Sequence, residues 1–474
     1  MTGLFYSLLV LLVWVPLPFA SNRQWAWALM VLFACLLGTA WLIGYLLGRF
    51  QVTECFRRAR WAIGLGVVAW LYVGLQALPL PAAWVQTTSP HAFEIYQSAA
   101  AATGNPEPLE MTLSVDAHAT VSFFLKMLAY GIVFCLTLLL VDTSKRLETL
   151  IKVLVFSGTL QAVYGSLMVL SGLEYGFFIK KFVGQGWATG TFINRNHLAG
   201  YLNICIAVGI GLMIAKLGGE ASHTWRQRLR SLARLLLGEK ARLRIYLIIM
   251  VIALVLTRSR MGNTAFFAST LVVGTVGLLL MRNAPRSTMV FLASVIALDL
   301  LIVGTWFGVD QVAQRIQQTE ITTNAENVLP TEDRDEIAQR SFALAKDYFP
   351  VGAGAGSFYT VFDGYANDKM IGFVEYAHND YLQILAEMGI VGATCGGLIV
   401  LLAAYQALSA LRRRNHPMMR GTAFGVCLAI CWLLIHSTVD FNMQIPANAM
   451  TMSAVLALAW IASGLRSRHA HHKH

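Results

Sequence analysis

The sequence predicts an all-α integral membrane protein with about twelve transmembrane helices. Both termini are expected in the cytoplasm, and a large, partly helical periplasmic loop should precede the last three helices. Hydrophobic residues make up 57% of the 474 residues and charged residues only 13%, which excludes an ordinary soluble domain. Apolar runs long enough to cross about 30 Å of hydrocarbon recur along the chain, and short basic clusters separate them.

The predicted spans follow from the length of each apolar run at 1.5 Å of helix rise per residue. The first run, Leu4 to Ala20, lacks a basic N-terminal region and a good cleavage site, so we expect a retained helix. The spans begin near Leu4, Trp25, Trp61, Val121, Leu147, His197, Leu243, Met261, Ser287, Ala386, Gly421 and Ala447.

The distribution of Lys and Arg predicts the orientation of the spans. The net charge of +11 arises mostly in clusters that occupy every second loop, as the positive-inside rule expects of cytoplasmic loops. The basicity therefore reflects topology, and we expect no nucleic-acid partner. The clusters are Arg49/Arg57/Arg58/Arg60, Lys145/Arg146, Arg226 to Arg244, Arg282/Arg286, Arg412/Arg413/Arg414/Arg420 and Arg466/Arg468.

Four parts follow from this topology: residues 1–307 with nine spans and a periplasmic loop at about 80–120, a large periplasmic loop at 308–379, the last three spans at 380–464, and a cytoplasmic tail at 465–474. The large loop carries both signs of charge and should form a small folded cap. Within it, DRDEIAQRSFALAKDYF has acidic residues in its first turns and reads as a helix that stops before Pro350.

A few cations stand apart from the cytoplasmic clusters. Arg195 lies in GTFINRNHLAGYL at the outer end of one span, and Arg258 and Arg260 lie in LTRSRMGN between two spans. Arginine near membrane depth is costly without a partner, and guanidinium is suited to bidentate contact with phosphate oxygens. A lipid diphosphate would satisfy two of these arginines; an internal carboxylate or helix carbonyls would be the structural alternative. Lys180 and Lys181 are further candidates, or simply snorkelling interface residues.

His378 and Asn379 open the run HNDYLQILAEMGIVG, where the large polar loop returns to the membrane. Imidazole has an ordinary pKa near neutrality, which suits it to accept a proton from a hydroxyl group. The alternative is a loop histidine that caps the helix starting near Asp380. Upstream, VGAGAGSF lacks the Lys-Ser/Thr ending of a phosphate loop and is interpreted as a tight turn.

Some features have no chemical role assigned. Lys126 and Asp299 are charges within apolar runs, which usually face the interior of a helix bundle. Trp225, Leu229, Leu232 and Leu236 recur at helical spacing and indicate either an interfacial helix or a plain cytoplasmic loop. No His, Cys, Asp or Glu cluster has metal-ligand spacing, so no metal and no cofactor are expected.

The three motifs TFINRNHLAGYL, LTRSRMG and AHNDYLQILAEMGIVG, in this order, resemble the O-antigen ligase and polymerase superfamily of bacterial envelope glycosyltransferases. The resemblance spans roughly Phe156 to Ala462. It implies a metal-independent, inverting transfer, of the GT-C type, from an undecaprenyl-diphosphate-linked glycan donor at the outer face of the bacterial inner membrane. It further implies that Arg195 and Arg260 hold the diphosphate while His378 acts as the base.

The acceptor stays open at this stage. A ligase would use lipid A core as acceptor, a polymerase would use the next lipid-linked glycan, and some protein oligosaccharyltransferases share the motifs. LQALPLPAAW and HSTVDFNMQIPANA resemble exopolysaccharide-cluster members of the superfamily and tilt the interpretation slightly toward a polymerase. A lipid-linked glycan flippase or transporter would also suit about twelve spans. It would, however, be expected to carry charges through the centre of the bundle.

Overall fold

The computed structural model describes residues 1–104, 110–176, 179–181, 184–217, 238–280, 334–367 and 373–465, with residues 290, 293, 294 and 297. Every predicted span that falls within these ranges coincides with a helix. The span near Ser287, Asp299, the segment at 225–236, the first part of the large loop and the tail beyond residue 465 lie outside them. The helices are α1 (Thr2–Trp14), α2 (Gln24–Leu46), α3 (Glu54–Arg58), α4 (Arg60–Gln76), α5 (Ala82–Thr88), α6 (Pro90–Thr103), α7 (Ala117–Leu140), α8 (Ser144–Ser171), α9 (Arg195–Lys216), α10 (Glu239–Leu256), α11 (Arg260–Leu280), α12 (Arg334–Asp347), α13 (Phe358–Phe362), α14 (Asp380–Arg413), α15 (Pro417–His436) and α16 (Pro446–Gly464).

The membrane-spanning character is confirmed, whereas the count of about twelve spans is not. Within the described ranges, 8 helices are long and apolar enough to cross a membrane. The run from Leu4 to Ala20 does not form one continuous helix, because α1 ends at Trp14 after 13 residues. At 1.5 Å per residue α1 reaches about 20 Å, short of the roughly 30 Å of hydrocarbon. Pro16 and Pro18 lack the amide hydrogens that would continue it.

Helix α9 lies at the centre of the bundle and packs against α8, α10, α15 and α16. Small residues at intervals of four make its closest approach to α15 possible. A Cβ atom added at Gly211 would lie 2.3 Å from the carbonyl oxygen of Gly421, and one added at Gly425 would lie 2.8 Å from that of Ala207. Such small-residue packing lets two membrane helices meet along their backbones, so it fixes where the first residues of α9 lie.

Helix α14 is broken at Gly389, which has φ 56° and ψ −154°. A Cβ atom at this position would lie 2.0 Å from the carbonyl oxygen of Pro350, so a larger residue does not fit. The loop at 350–356 supplies the hydrogen bonds that the break interrupts. The amide of Ile390 donates to the Pro350 carbonyl at 3.0 Å, and the amide of Gly354 donates to the Glu387 carbonyl at 3.0 Å. The helix begins at Asp380, earlier than the predicted start near Ala386. Its first part, up to the break at Gly389, is a separate short helical segment.

The glycine-rich run Val351 to Phe358 forms the tight turn predicted from the sequence. Its backbone serves the protein itself: the amide of Phe358 donates to the buried Glu387 carboxylate at 3.2 Å. Gln76 of α4 donates to the carbonyls of Val351 and Glu387 at 2.9 and 3.0 Å. These bonds tie α4 and α14 to the turn.

A cap covers one end of the bundle, and its described part consists of residues 80–104, 110–116, 334–367 and 373–379. It has its own hydrophobic core, to which Met111, Ile337, Leu344 and Phe358 contribute. Helix α12 confirms the helix expected from DRDEIAQRSFALAKDYF. The loop predicted at about 80–120 contains α5 and α6 as well as a small two-stranded antiparallel sheet that encloses them in the sequence. Two such sheets depart from the all-α prediction, β1 (Leu80–Pro81) with β2 (Glu110–Met111) and β3 (Tyr175–Gly176) with β4 (Ile179–Lys180).

Candidate functional site

Arg195 is the first residue of α9. Asn194 caps this helix by accepting a hydrogen bond from the Asn196 amide at 2.8 Å. The Arg195 guanidinium lies 3.6 Å from the centroid of the Trp187 ring, which fixes its direction by a cation–π contact. The Lys181 ammonium donates to the Trp187 carbonyl at 2.9 Å and pairs with the Glu174 carboxylate at 2.9 Å.

Lys181 and Lys180 therefore differ, although they are adjacent. The charge of Lys181 is matched by Glu174, whose pKa lies below its usual range. Burial opposes that shift, and the amide of Gly186 and the ammonium of Lys181 outweigh burial. Lys180 is exposed on β4. Contact of either lysine with a substrate stays a prediction, and the geometry gives Lys181 a supporting role behind Trp187.

Arg258 and Arg260 lie at the turn between α10 and α11, beside the start of α9. The amide of Ala188 donates to the Leu256 carbonyl at 3.0 Å, and the Asn203 side chain donates to the Gly262 carbonyl at 3.3 Å. Both arginines are exposed, and Arg260 is the first residue of α11. The first two motifs of the sequence therefore meet at one end of the bundle.

A cluster of arginines results. Arg258, Arg260 and Arg334 lie close enough to Arg195 to repel its charge. Within the described ranges, no carboxylate lies within 4.0 Å of any of these four guanidinium groups. Arg334 begins the described part of α12 and donates to the Val439 carbonyl at 3.2 Å. A concentration of positive charge without a matching carboxylate favours an anionic ligand.

His378 lies on the short connection between the cap and α14. Its backbone has φ 50°, in the left-handed region that non-glycine residues rarely adopt, and Arg258 has φ 52°. Asn379, not His378, caps α14: its side-chain oxygen accepts from the amides of Tyr381 and Leu382 at 3.0 and 3.1 Å. The capping alternative for His378 is therefore wrong. The Asn379 amide also donates to the Thr438 carbonyl at 2.9 Å, so its contact with a substrate stays a prediction.

Phe441 joins the first and third motifs. The ring of His197, two residues beyond Arg195, meets the Phe441 ring edge-on at a centroid distance of 4.8 Å. His378 does the same at 5.0 Å, and Tyr376 stacks on Phe441 at 4.2 Å. Burial raises the pKa of the Tyr376 phenol well above its usual range, so this phenol stays protonated near neutral pH.

These motifs have a counterpart among known families. Residues 245–395 match the family model described as O-antigen ligase. This part of the chain is therefore similar to the O-antigen ligase family. The comparison with curated proteins found no match. Two of the three motifs behind the resemblance, with Arg258, Arg260 and His378, lie inside the matched residues, while Arg195 lies N-terminal to them.

Asp440 lies next to the matched residues in space, although it follows them in the sequence. Its carboxylate is buried, and its Oδ1 lies 3.7 Å from Nε2 of His197. Burial alone would raise the pKa of Asp440, but His197, His436 and the Phe441 amide outweigh burial and hold the pKa below its usual range. Asp440 lies in the turn at 437–445. Arg334 donates to the Val439 carbonyl of this turn, and the amide of Asp380, the first residue of α14, donates to the carbonyls of Ser437 and Asp440.

A chain of buried amides holds this turn against α9. Asn442 lies 2.6 Å from Nδ1 of His436, and Asn448 donates to the Asn442 side-chain oxygen at 2.9 Å. Asn448 also contacts the His197 carbonyl at 3.0 Å. Because each partner lies on a different helix or turn, the chain fixes the N-terminus of α9 relative to the turn. It thereby positions Arg195 and Asp440 beside the residues that match the family model.

The structure brings Arg195, Arg258, Arg260 and His378 to one end of the bundle, as the motifs predicted. It adds Arg334 and Asp440, which the sequence analysis missed. Arg334 lies in the large loop at 308–379, where neighbouring charges of both signs do not single it out from the sequence. Asp440 did leave a signal, since it is a carboxylate directly after an apolar span, where charge is expensive.

Proposed function

We propose that the protein transfers a glycan from undecaprenyl diphosphate to an acceptor hydroxyl group at the outer face of the bacterial inner membrane. The observation that carries this proposal is the cluster of Arg195, Arg258, Arg260 and Arg334, which has no carboxylate partner within the described residues. Two guanidinium groups can bind the oxygens of one diphosphate in bidentate fashion. Arg195 and Arg260 also begin helices, whose N-termini favour anions.

In the proposed reaction, the acceptor oxygen attacks the anomeric carbon of the glycan while His378 takes the hydroxyl proton. The bond between that carbon and the diphosphate oxygen breaks, and its electron pair leaves with the lipid diphosphate. Arg195 and Arg260 stabilise the negative charge that grows on the leaving group. Electrostatic stabilisation by preorganised groups is usually the largest single contribution to the rate of an enzyme reaction. A single displacement inverts the anomeric carbon.

The proposal extends to topology and domain organisation. The cap would face the periplasm, the termini would lie in the cytoplasm, and residues 380–464 would return the chain to the membrane three times. The reaction would use no metal, because the sugar-diphosphate bond is already activated. Transfer that stops in the presence of a chelator and resumes with a divalent ion would contradict this point.

Two acceptors fit the same chemistry, namely lipid A core and a second lipid-linked glycan. The test is a reconstituted reaction with purified undecaprenyl-diphosphate glycan, with and without lipid A core, and products resolved by size. Transfer onto lipid A core alone identifies a ligase. Growth of the lipid-linked glycan without core identifies a polymerase. If neither product forms and glycan export in cells is unchanged by His378→Ala, the proposal is wrong and a transport function replaces it.

A further inference from the structure

We propose that the ring of Phe441 holds the base His378 in place relative to the start of α9, so that Phe441 is a positioning residue for glycan transfer. This inference rests on the proposed function. It begins from three ring contacts that meet on one buried side chain, since Phe441 is only 6% exposed. The centroids of the Tyr376, His378 and His197 rings lie 4.2, 5.0 and 4.8 Å from that of Phe441. Phe441 therefore joins the segment that carries the base to the helix that begins at Arg195.

The backbone of His378 lies outside regular helix and in an uncommon conformation. Its φ of 50° falls in the left-handed region, and Asn379, which follows it, is the residue that caps α14. Such a conformation persists where the surrounding structure enforces it. The Phe441 ring meets the imidazole at an interplanar angle of 73°, in the edge-on arrangement that aromatic rings favour. This contact therefore restrains the direction of the imidazole.

The turn that carries Phe441 is itself fixed to the start of α14. The amide of Asp380 donates to the Asp440 carbonyl at 3.2 Å, and the Asp380 carboxylate accepts from the Ser437 hydroxyl at 2.9 Å. The amide of Phe441 donates to the Asp440 carboxylate at 2.8 Å. Because Asp380 lies two residues after His378, the backbone of the turn and the ring of Phe441 locate the base at two points.

The contact with His197 links the same ring to the donor side of the proposed reaction. The buried His197 ring meets Phe441 at an interplanar angle of 71° and lies in the first turn of α9, two residues after Arg195. A shift of Phe441 would therefore change the separation of the base from the guanidinium of Arg195. A single displacement needs the two reacting atoms about 3–3.5 Å apart and aligned. We therefore expect Phe441 to affect turnover and not binding of the donor.

A buried phenylalanine that only fills the core would behave differently. Its replacement by leucine would lower the stability of the protein and leave the turnover of the folded protein unchanged. Phe424 of α15 provides the matched control, because it is fully buried and belongs to the hydrophobic core of the bundle. Phe441→Leu and Phe424→Leu thus make the same chemical change at two buried positions, of which one contacts the base.

The first test compares glycan transfer by the two variants in vesicles with matched amounts of folded protein. Phe441→Leu should lower kcat about 10-fold to 100-fold, because a misplacement of about 1 Å can cost roughly 100-fold in rate. Its KM for undecaprenyl-diphosphate glycan and its retention of that donor should stay within about twofold of the wild type. Phe424→Leu should keep the wild-type kcat. Equal kcat values for the two folded variants would overturn the inference.

The second test does not depend on transfer. Nuclear magnetic resonance of protein with ¹³C-labelled histidine reports the ring current of Phe441 on the His378 imidazole, whose signal is assigned with His378→Gln. Phe441→Leu should move this signal, and Phe424→Leu should leave it in place. An unmoved signal in Phe441→Leu would overturn the inference even if transfer falls.

The remaining outcomes separate the inference from the proposed function. If the wild type transfers no glycan to either acceptor, the proposed function fails, and the role of a base fails with it. If the wild type transfers glycan and Phe441→Leu does not fold, Tyr376→Leu decides, because it removes the ring that stacks on Phe441. Tyr376→Leu should lower kcat several-fold, and Tyr376→Phe, which keeps the ring, should transfer faster than Tyr376→Leu. Wild-type kcat in Tyr376→Leu would reject the inference.

Discussion

The two ends of α9 are both basic, yet they treat their charges differently. At the Lys216 end, two lysines share the carboxylate of Glu148 at 2.7 Å. At the Arg195 end, three further arginines lie close to Arg195 and no described carboxylate lies within 4.0 Å. Positive charge beside a membrane costs free energy unless something compensates it. Net charge alone therefore does not identify a binding site, whereas the balance of local charges does.

The two ends also differ in geometry. Arg195 is held against Trp187, and Arg258 and His378 adopt a left-handed backbone. Such conformations cost about 1–3 kcal/mol each and persist where the surrounding structure enforces them, frequently at functional sites. The Lys216 end has no comparable constraint among the described residues. We therefore expect the Arg195 end to depend on shape and the Lys216 end mainly on charge.

The largest effect on glycan transfer is expected from substitutions at the Arg195 end of α9. Arg260→Ala and His378→Ala should each lower glycan transfer at least about 100-fold, because general base catalysis alone contributes roughly 10²–10⁴-fold. Reconstituted vesicles with matched amounts of folded protein would give the rates. Lys145 is an exposed cation at the start of α8, so Lys145→Ala serves as the control and should keep the wild-type rate of transfer. Wild-type transfer by folded Arg260→Ala would contradict the assignment.

Two substitutions that preserve charge, one at each end of α9, separate the effect of shape from the effect of charge. Arg260→Lys should lower transfer about tenfold or more, since an ammonium cannot make the bidentate contact of a guanidinium. Lys216→Arg at the other end of the bundle should leave transfer unchanged, because Glu148 accepts either cation. The ratio of initial rates for the two variants is the relevant measurement. If Arg260→Lys transfers glycan at the wild-type rate, the contact of residue 260 with the diphosphate is only electrostatic.

Arg334 tests whether the fourth arginine belongs to the cluster. Arg334→Gln should reduce transfer several-fold to about tenfold, as it removes one cation and the hydrogen bond to the Val439 carbonyl. Arg340→Gln is its matched control on the same helix, where the guanidinium pairs with Glu336 at 2.9 Å. Equal transfer rates for the two variants would remove Arg334 from the site.

A substitution at the break in α14 should lower the stability of the protein more than a substitution at another glycine of the same helix. Gly389→Ala should lower the free energy of unfolding by about 2 kcal/mol or more, because φ is positive and a Cβ atom would meet the Pro350 carbonyl. Gly397→Ala, in the same helix with open space around it, should be neutral or stabilising by up to about 1 kcal/mol. Thermal unfolding in detergent separates the two, and similar midpoints would show that the break is not required.

The smallest effect concerns Asp440 and pH. Its pKa is depressed in the folded protein, so its charge stabilises the fold above the unfolded pKa of about 3.9. This contribution is lost as pH falls through the still lower folded pKa. The unfolding midpoint of Asp440→Asn should therefore lie below that of the wild type at pH 7, and the gap should close in acid. A gap that widens in acid would show that the shift has the opposite sign.

The sequence predicted an all-α membrane protein because the length of an apolar run is a strong, local signal, whereas the orientation that the basic clusters indicate stays a prediction. Arg195, Arg260 and His378 lie at one end of the bundle, and their roles stay predictions. Local signals also explain one error: Pro16 and Pro18 mark the end of α1, although the apolar run continues through Ala20. In that case the proline chemistry outweighs hydrophobicity.

The remaining features depend on contacts between residues far apart in the chain. His378 and Phe441 meet although α14 and α15 separate them in the sequence, and Arg334 contacts the turn that holds Asp440. The break at Gly389 is hidden because apolar residues continue through it, and only the inserted loop at 350–356 makes it necessary. Tertiary contacts of this kind leave no period in the sequence from which to predict them.

The most direct test of the central claim separates donor binding from turnover. Retention of undecaprenyl-diphosphate glycan and its transfer would be measured on the same vesicles for wild type, His378→Ala and Arg260→Ala. The account predicts that His378→Ala keeps the donor without transferring it, and that Arg260→Ala loses both. Donor binding by Arg260→Ala at wild-type affinity, or transfer by His378→Ala at the wild-type rate, would contradict it.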